Sequence, residues 1–155
     1  MEIKFRGKQV ESGEWYHGFY VRGRYGWHYI ISEYNGLATI PHAVDGDTLG
    51  RYTGLKDSNG EEIFEGDVLR QKTYHKFKAV DSSEWEKRYI VRFGHCDFRP
   101  REAGCETLGF FLSDIDGSGP VKGIASLERD NADGYFPFEA IGNIHDNPEL
   151  LREAA

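Results

Sequence analysis

Short runs of alternating apolar and polar residues, punctuated by glycine, recur along the chain and predict strands joined by turns. Ile3 and Phe5 alternate with Lys4 and Arg6, the pattern of a short strand with one buried face. After a polar connection from Gly7 to Gly13, two aromatic runs between Trp15 and Ser32 flank Arg22-Gly23-Arg24-Tyr25-Gly26. Two β-prone runs around a Gly-containing loop predict a hairpin. Asn35-Gly36 suits a second tight turn before Leu37 to Ile40, and Pro41 ends that strand.

The centre of the chain is Gly50 to Leu69, GRYTGLKDSNGEEIFEGDVL. Arg51 to Leu55 should be extended. Asp57-Ser58-Asn59-Gly60 holds residues that tolerate positive φ, so the chain can reverse there. Ile63-Phe64 returns, Glu65-Gly66-Asp67 turns sharply, and Val68 to Tyr74 forms a further strand. From His75 to Glu86 the pattern is lost, apart from a helical turn suggested after Ser83, so a long polar excursion is expected. Tyr89, Val91 and Phe93 restore the alternation. Residues 94–108 read as irregular, Gly109 to Leu112 as a brief buried strand and Asp114 to Gly119 as a loop. Phe136 to Ile144 reads as the last strand, with Gly142 as a bulge or close approach. Asn147-Pro148-Glu149-Leu150-Leu151 reads as a short terminal helix capped by Asn147.

Several of these stretches resemble the YopX family of phage and prophage proteins. The matching residues are Tyr52 to Asp57, Asn59-Gly60, Ile63 to Val68, Ile141 to Ile144 and Asn147 to Leu151. Ile3 to Arg6 and the aromatic run from Trp15 to Tyr20 also fit, and the match thins between His75 and Asp133. The resemblance implies a small β-rich domain encoded by a phage or an integrated phage; the cytoplasm of a bacterial host is expected because neither a signal peptide nor a membrane helix reads from the sequence. It brings no catalytic set and no cofactor. The recurring residues Gly54, Asp57, Asn59, Gly60, Gly66, Asp67, Gly142 and Asn143 are what turns and corners require.

Length supports this picture, since 155 residues suit one domain spanning 1–155, with lobes at 1–43 and 44–151 as an internal division. Ten Phe, nine Tyr and nineteen Gly favour strands and turns. The formal charge of −7 argues against a surface devoted wholly to nucleic acid. Two cysteines, Cys96 and Cys105, are too few for a disulfide scaffold and are expected reduced. No apolar run approaches the ~20 residues of a membrane helix, and the charged start MEIKFRGKQV does not read as a signal peptide.

Candidate chemistry changes little. Asp114, Asp116 and Ser118 have the opening spacing of a calcium loop, but Ala125 stands where the closing Glu belongs. Cys96, Cys105 and the scattered His residues lack the paired spacing of a zinc site. No cofactor or metal is expected. Asp57, Glu65 and Asp67 lie close enough in sequence to raise a small metal-dependent hydrolase as an alternative, although turn carboxylates more often accept backbone N–H bonds. The aromatic hairpin is the best binding candidate. Its only charges are Arg22 and Arg24, set beside Tyr25 and Trp27, a composition that could hold single-stranded nucleic acid by stacking and phosphate contacts.

The expected fold is an all-β or β-dominated antiparallel domain of about eight or nine strands, with barrel-like curvature suggested by Gly54, Gly66 and Gly142 and a short C-terminal helix. The expected function is a non-enzymatic accessory protein contacting a phage or host protein, with self-association as a further use of the aromatic surplus. The alternative is a nucleic-acid-binding module using residues 15–29.

Overall fold

The computed structural model describes residues 2–38, 40–72, 86–97, 106–133 and 137–152. Strands dominate, and contacts gather the chain into two compact units, Met1–Gly54 and Leu55–Ala155. The division falls inside a strand, so the turn at 44–48 and most of the strand after it go with the first unit.

The first unit contains β1 (Phe5–Lys8), β2 (Trp15–Arg22), β3 (His28–Ile31), the two-residue ribbon strands β4 (Glu33–Tyr34) and β5 (Leu37–Ala38), and β6 (His42–Val44). A 3-10 turn at Gly46–Thr48 then leads into β7 (Gly50–Lys56). Neighbouring strands run in the order β6-β3-β2-β1-β7, and their pairing is antiparallel. The two expected reversals form where local chemistry allows them. Gly26 has φ +82° in the β2–β3 loop, and Asn35 and Gly36 have φ +52° and +75° in the ribbon turn. One sheet face carries Phe5, Gly7, Tyr16, Tyr20, His28, Ile30, His42 and Val44, as the register requires. Ile30 and Val44 are buried there, and Phe5 leans on Tyr20 at 5.5 Å. Gly7 is a close approach, because a Cβ at that position would lie 2.8 Å from Val44 Cγ2. The strand expected from Ile3 begins instead at Phe5, and Ile3 is exposed.

The second unit takes the end of β7 and adds β8 (Glu62–Phe64), β9 (Asp67–Lys72), β10 (Glu86–Asp97), β11 (Glu106–Asp114) and β12 (Lys122–Gly123). Helix α1 (Ala125–Asp133), β13 (Phe138–Asn143) and a 3-10 turn at Pro148–Leu151 complete it. Its five-stranded sheet has the order β12-β11-β10-β9-β13. Ile63, Leu69, Tyr89, Val91, Leu112, Leu127 and Phe138 form one buried cluster, with Leu55, Phe110, Ile124 and Ala140 packed against it.

Three sequence expectations change. The sheets stay open: β12 and β13 are the two edges of the second sheet, so the curvature expected from glycine does not close a barrel. Gly54 and Gly66 serve positive φ instead, at +83° and +90°, while Gly60 has the positive φ expected of its turn, +84°. The stretch expected to be irregular at 94–108 holds the ends of β10 and β11, which pair residue for residue from Tyr89↔Asp114 to Asp97↔Glu106. The terminal helix is a 3-10 turn; Pro148 opens it, but Asn147 Oδ1 accepts from Asn143 N at 3.3 Å rather than capping the turn. Helix α1 had no sequence expectation, since Leu127 is the one fully buried apolar residue among its described side chains. The strand end at Tyr74, the helical turn after Ser83 and the site of Cys105 lie outside the described residues.

Candidate functional site

The residues of the central motif are brought together, and their geometry is structural. Asp57 is buried, and its Oδ1 accepts from Asn59 N at 2.8 Å and Glu61 N at 2.9 Å. Its Oδ2 accepts from Ala140 N at 2.9 Å, tying the turn to β13 across the sequence. Asp67, also buried, accepts from Phe64 N at 2.8 Å. Asn143 Oδ1 accepts from His145 N and Asp146 N, both at 3.0 Å, while Asn59 Nδ2 donates to Glu139 at 3.4 Å. Gly142 sits at a register shift in the β13–β9 pairing, and a Cβ there would come within 2.8 Å of Leu150 Cδ1. Carboxylates that hold backbone N–H groups in this way stabilise turns and are poorly placed to bind a hydrolytic metal.

Two polar groupings in the second unit escaped the sequence. In the first, Gln71, Tyr89, Lys122 and Asp130 meet on the core face of the sheet. Gln71 is buried; its Nε2 donates to Asp130 Oδ2 at 3.1 Å and its Oε1 accepts from Lys122 Nζ at 3.0 Å. Lys122 Nζ also lies 5.4 Å from the Tyr89 ring centre and 5.5 Å from that of Phe138. Burial, with the carboxylates of Asp114 and Asp130 nearby, pushes the Tyr89 hydroxyl up from its ordinary 10.0 to about 12. Burial also holds the Lys122 ammonium below its usual range, against the opposing pull of Asp130. A lysine between two rings and a buried amide fastens α1 and β12 to the sheet, and we assign it that structural role. Its residues lie far apart in sequence, so no local signal could have assembled them.

The second grouping is a shallow cleft of about 130 Å³ lined by Ser58, Asn59, Arg70, Lys72, Pro137 and Glu139. Arg70 Nη2 pairs with Glu139 Oε2 at 2.5 Å across it. Its volume is well below the roughly 300–1,000 Å³ of typical ligand pockets. Among the described residues no group of His, Cys, Asp and Glu is arranged to hold a metal ion. The calcium-like spacing is an ordinary turn: Asp116 Oδ1 accepts from Ser118 N at 2.7 Å, hydrogen bonding from the Ser118 side chain first and its backbone second lowers the Asp116 pKa, and Asp114 pairs with Lys87.

The aromatic hairpin of the first unit is different. Gly23 N donates to Trp27 O at 2.8 Å and closes a tight loop, leaving Arg22, Arg24, Tyr25 and Trp27 exposed at its tip. Tyr25 is 85% exposed and Trp27 54%. Three other rings are engaged within the unit. Tyr16 stacks on His42 at 3.8 Å, the Tyr20 hydroxyl meets His28 Nδ1 at 2.8 Å, and Arg6 lies over Trp15 at 4.7 Å. Tyr25 and Trp27 are the rings offered to solvent at the tip. On the face opposite the core, Phe19 and Val21 are 50% and 42% exposed, paired across β3 with Ile31 and Tyr29.

The exposure is concentrated. Of the ten large apolar residues most open to solvent among the described residues, eight lie in the first unit: Ile3, Val10, Phe19, Val21, Tyr25, Trp27, Leu37 and Ile40. Residues 1–54 carry six Lys/Arg and six Asp/Glu, so the whole formal charge of −7 resides in the second unit.

The family model described as YopX protein matches residues 4–152. A search of curated proteins finds no match. In solved structures the fold is similar to the crystal structure of protein EF1440 from Enterococcus faecalis, with a TM-score of 0.51 and 22% identity over 98% of this chain and 99% of that one. With the central motif, the terminal Gly142-Asn143 corner and the aromatic strand falling inside one nearly full-length match, the chain belongs to the YopX family.

Proposed function

We propose that this protein is a non-enzymatic interaction module whose first unit makes the protein–protein contacts. The observation that carries this reading is the gathering of exposed apolar side chains in a charge-balanced unit of 54 residues. Isolated apolar residues on a surface need no explanation, but a concentration of them, rich in aromatics, suits a protein interface. The motif carboxylates Asp57 and Asp67 support the same reading, because both are committed to backbone N–H groups. On this reading the protein is a phage or prophage accessory factor acting in the bacterial cytoplasm.

The test is a tagged pull-down from the native host, with and without nuclease, read by mass spectrometry. A defined partner surviving nuclease and lost with Trp27→Ala supports the proposal. Turnover on a substrate, abolished by Asp57→Asn or Glu65→Gln, overturns it.

One observation favours a second reading, single-stranded nucleic acid, namely the joint exposure of Arg22, Arg24, Tyr25 and Trp27 at one tip. Binding of that kind weakens steeply with salt and on Arg22→Ala or Arg24→Ala. Two cations in a unit with no net charge make a short electrostatic track, so the protein partner ranks first.

A further inference from the structure

Strand β2 is paired on different sides along its length. Its first half, Trp15 to Gly18, pairs with β1, whose register ends at Phe5↔Gly18. Its second half, Phe19 to Arg22, pairs with β3 on the opposite side. Beyond Gly18 the side that β1 covered has no strand partner among the described residues. Lys4, the residue before β1, accepts from Tyr52 N, so its carbonyl continues the β1–β7 ladder. Phe19–Arg22 is therefore an open sheet edge, with alternate backbone N–H and C=O groups facing outward.

This edge carries the side chains that strand addition uses. Phe19 and Val21, two residues apart, stand exposed on one face, while Arg22 is exposed and Arg24 and Trp27 follow in the loop. Between Trp15 and Ser32 the only charges are Arg22 and Arg24, with no carboxylate to answer them. Two copies pairing edge to edge would bring these arginines no acid from the same hairpin. A nucleic acid would meet the arginines but leave the alternating aliphatic and aromatic face of β2 unused.

We infer that the Phe19–Arg22 edge receives an extended segment of a partner protein, one that alternates apolar residues and carries Asp or Glu near its end. The segment adds a strand beside β2, its apolar side chains cover Phe19 and Val21, and its carboxylates meet Arg22 and Arg24. This rests on the first unit being a protein-interaction surface and names the chemistry of what it binds.

A random peptide library displayed on yeast, selected against the full chain, tests it. Selected sequences should combine an alternating apolar run with Asp or Glu. A synthetic selected peptide should bind Val21→Lys and the Arg22→Glu/Arg24→Glu double variant roughly tenfold more weakly or worse. N-methylation of alternate peptide residues should abolish binding in one phase and spare it in the other, which is the signature of a backbone ladder. All of these substitutions are at exposed positions, and circular dichroism checks that the fold is retained. Failure to select peptides, selection without acidic residues, or indifference to N-methylation overturns the inference. Displacement of the peptide by a single-stranded oligonucleotide at low salt, or dissociation of a self-assembled species by Val21→Lys in sedimentation, also overturns it. A nuclease-resistant pull-down partner that still binds both variants excludes the edge while leaving the interaction reading intact.

Discussion

Asp57 shows what one side chain can hold. Three backbone N–H groups from the turn and from β13 converge on its two oxygens in a buried setting. Asp57→Ala leaves those donors unmet and should lower stability by roughly 2–4 kcal/mol in urea unfolding. Gly60→Ala isolates a different cost. Nothing lies within 4 Å of the added Cβ, so the loss should be about 1 kcal/mol, all of it from the +84° backbone. Tyr89 predicts a pH effect. Its folded pKa is raised from 10.0 to about 12, so the folded state keeps a proton that the unfolded state loses between those values. The contribution of Tyr89 is thus fully present below pH 10 and lost as pH rises toward 12. Tyr89→Phe should flatten the fall in stability across that window, measured by urea midpoints at stepped pH.

At the scale of elements, hairpin and helix make opposite predictions. The tip of the β2–β3 hairpin is exposed, so Tyr25→Ala and Trp27→Ala should leave the unfolding midpoint nearly unchanged, within about 0.5 kcal/mol, while weakening partner capture. Helix α1 meets the core through one fully buried leucine, and Leu127→Ala should cost about 2–5 kcal/mol. The hairpin was legible because Gly-containing loops and aromatic runs are local signals. The helix was not, because one large apolar residue in nine makes no periodicity; its place is set by Leu127, by Asp130 accepting from Gln71, and by Asn131 accepting from Phe138 N. The hidden half of the β10–β11 hairpin has the same explanation. Gly94 and Gly109 are weak strand formers, and their extended state comes from pairing with one another.

At the scale of the molecule, two compact units divide the physical roles. The second holds the larger core, most of the family's turn chemistry and the whole net charge of −7; the first holds most of the exposed apolar residues and the open edge. Hydrogen exchange read by mass spectrometry should register this division. Leu127→Ala should speed exchange in β9 to β11 and β13 more than in β1 to β3, since cooperative opening follows contiguous packed units. No helix among the described residues is long and apolar enough to cross a membrane.

The amino-acid order alone determined the β-dominated class, the aromatic hairpin, the tight turns at Asn35-Gly36 and Asp57 to Gly60, and the family. Each depends on alternation or on residues that tolerate positive φ, and those preferences act within a few residues of chain. Only tertiary structure decided that Asp57 reaches Ala140, that Lys122 settles against Tyr89 and Gln71, and that β1 leaves β2 at Gly18. Those facts depend on which strands pair and where the pairing stops. The open side of Phe19–Arg22 exists because the β1–β2 pairing ends at Phe5↔Gly18.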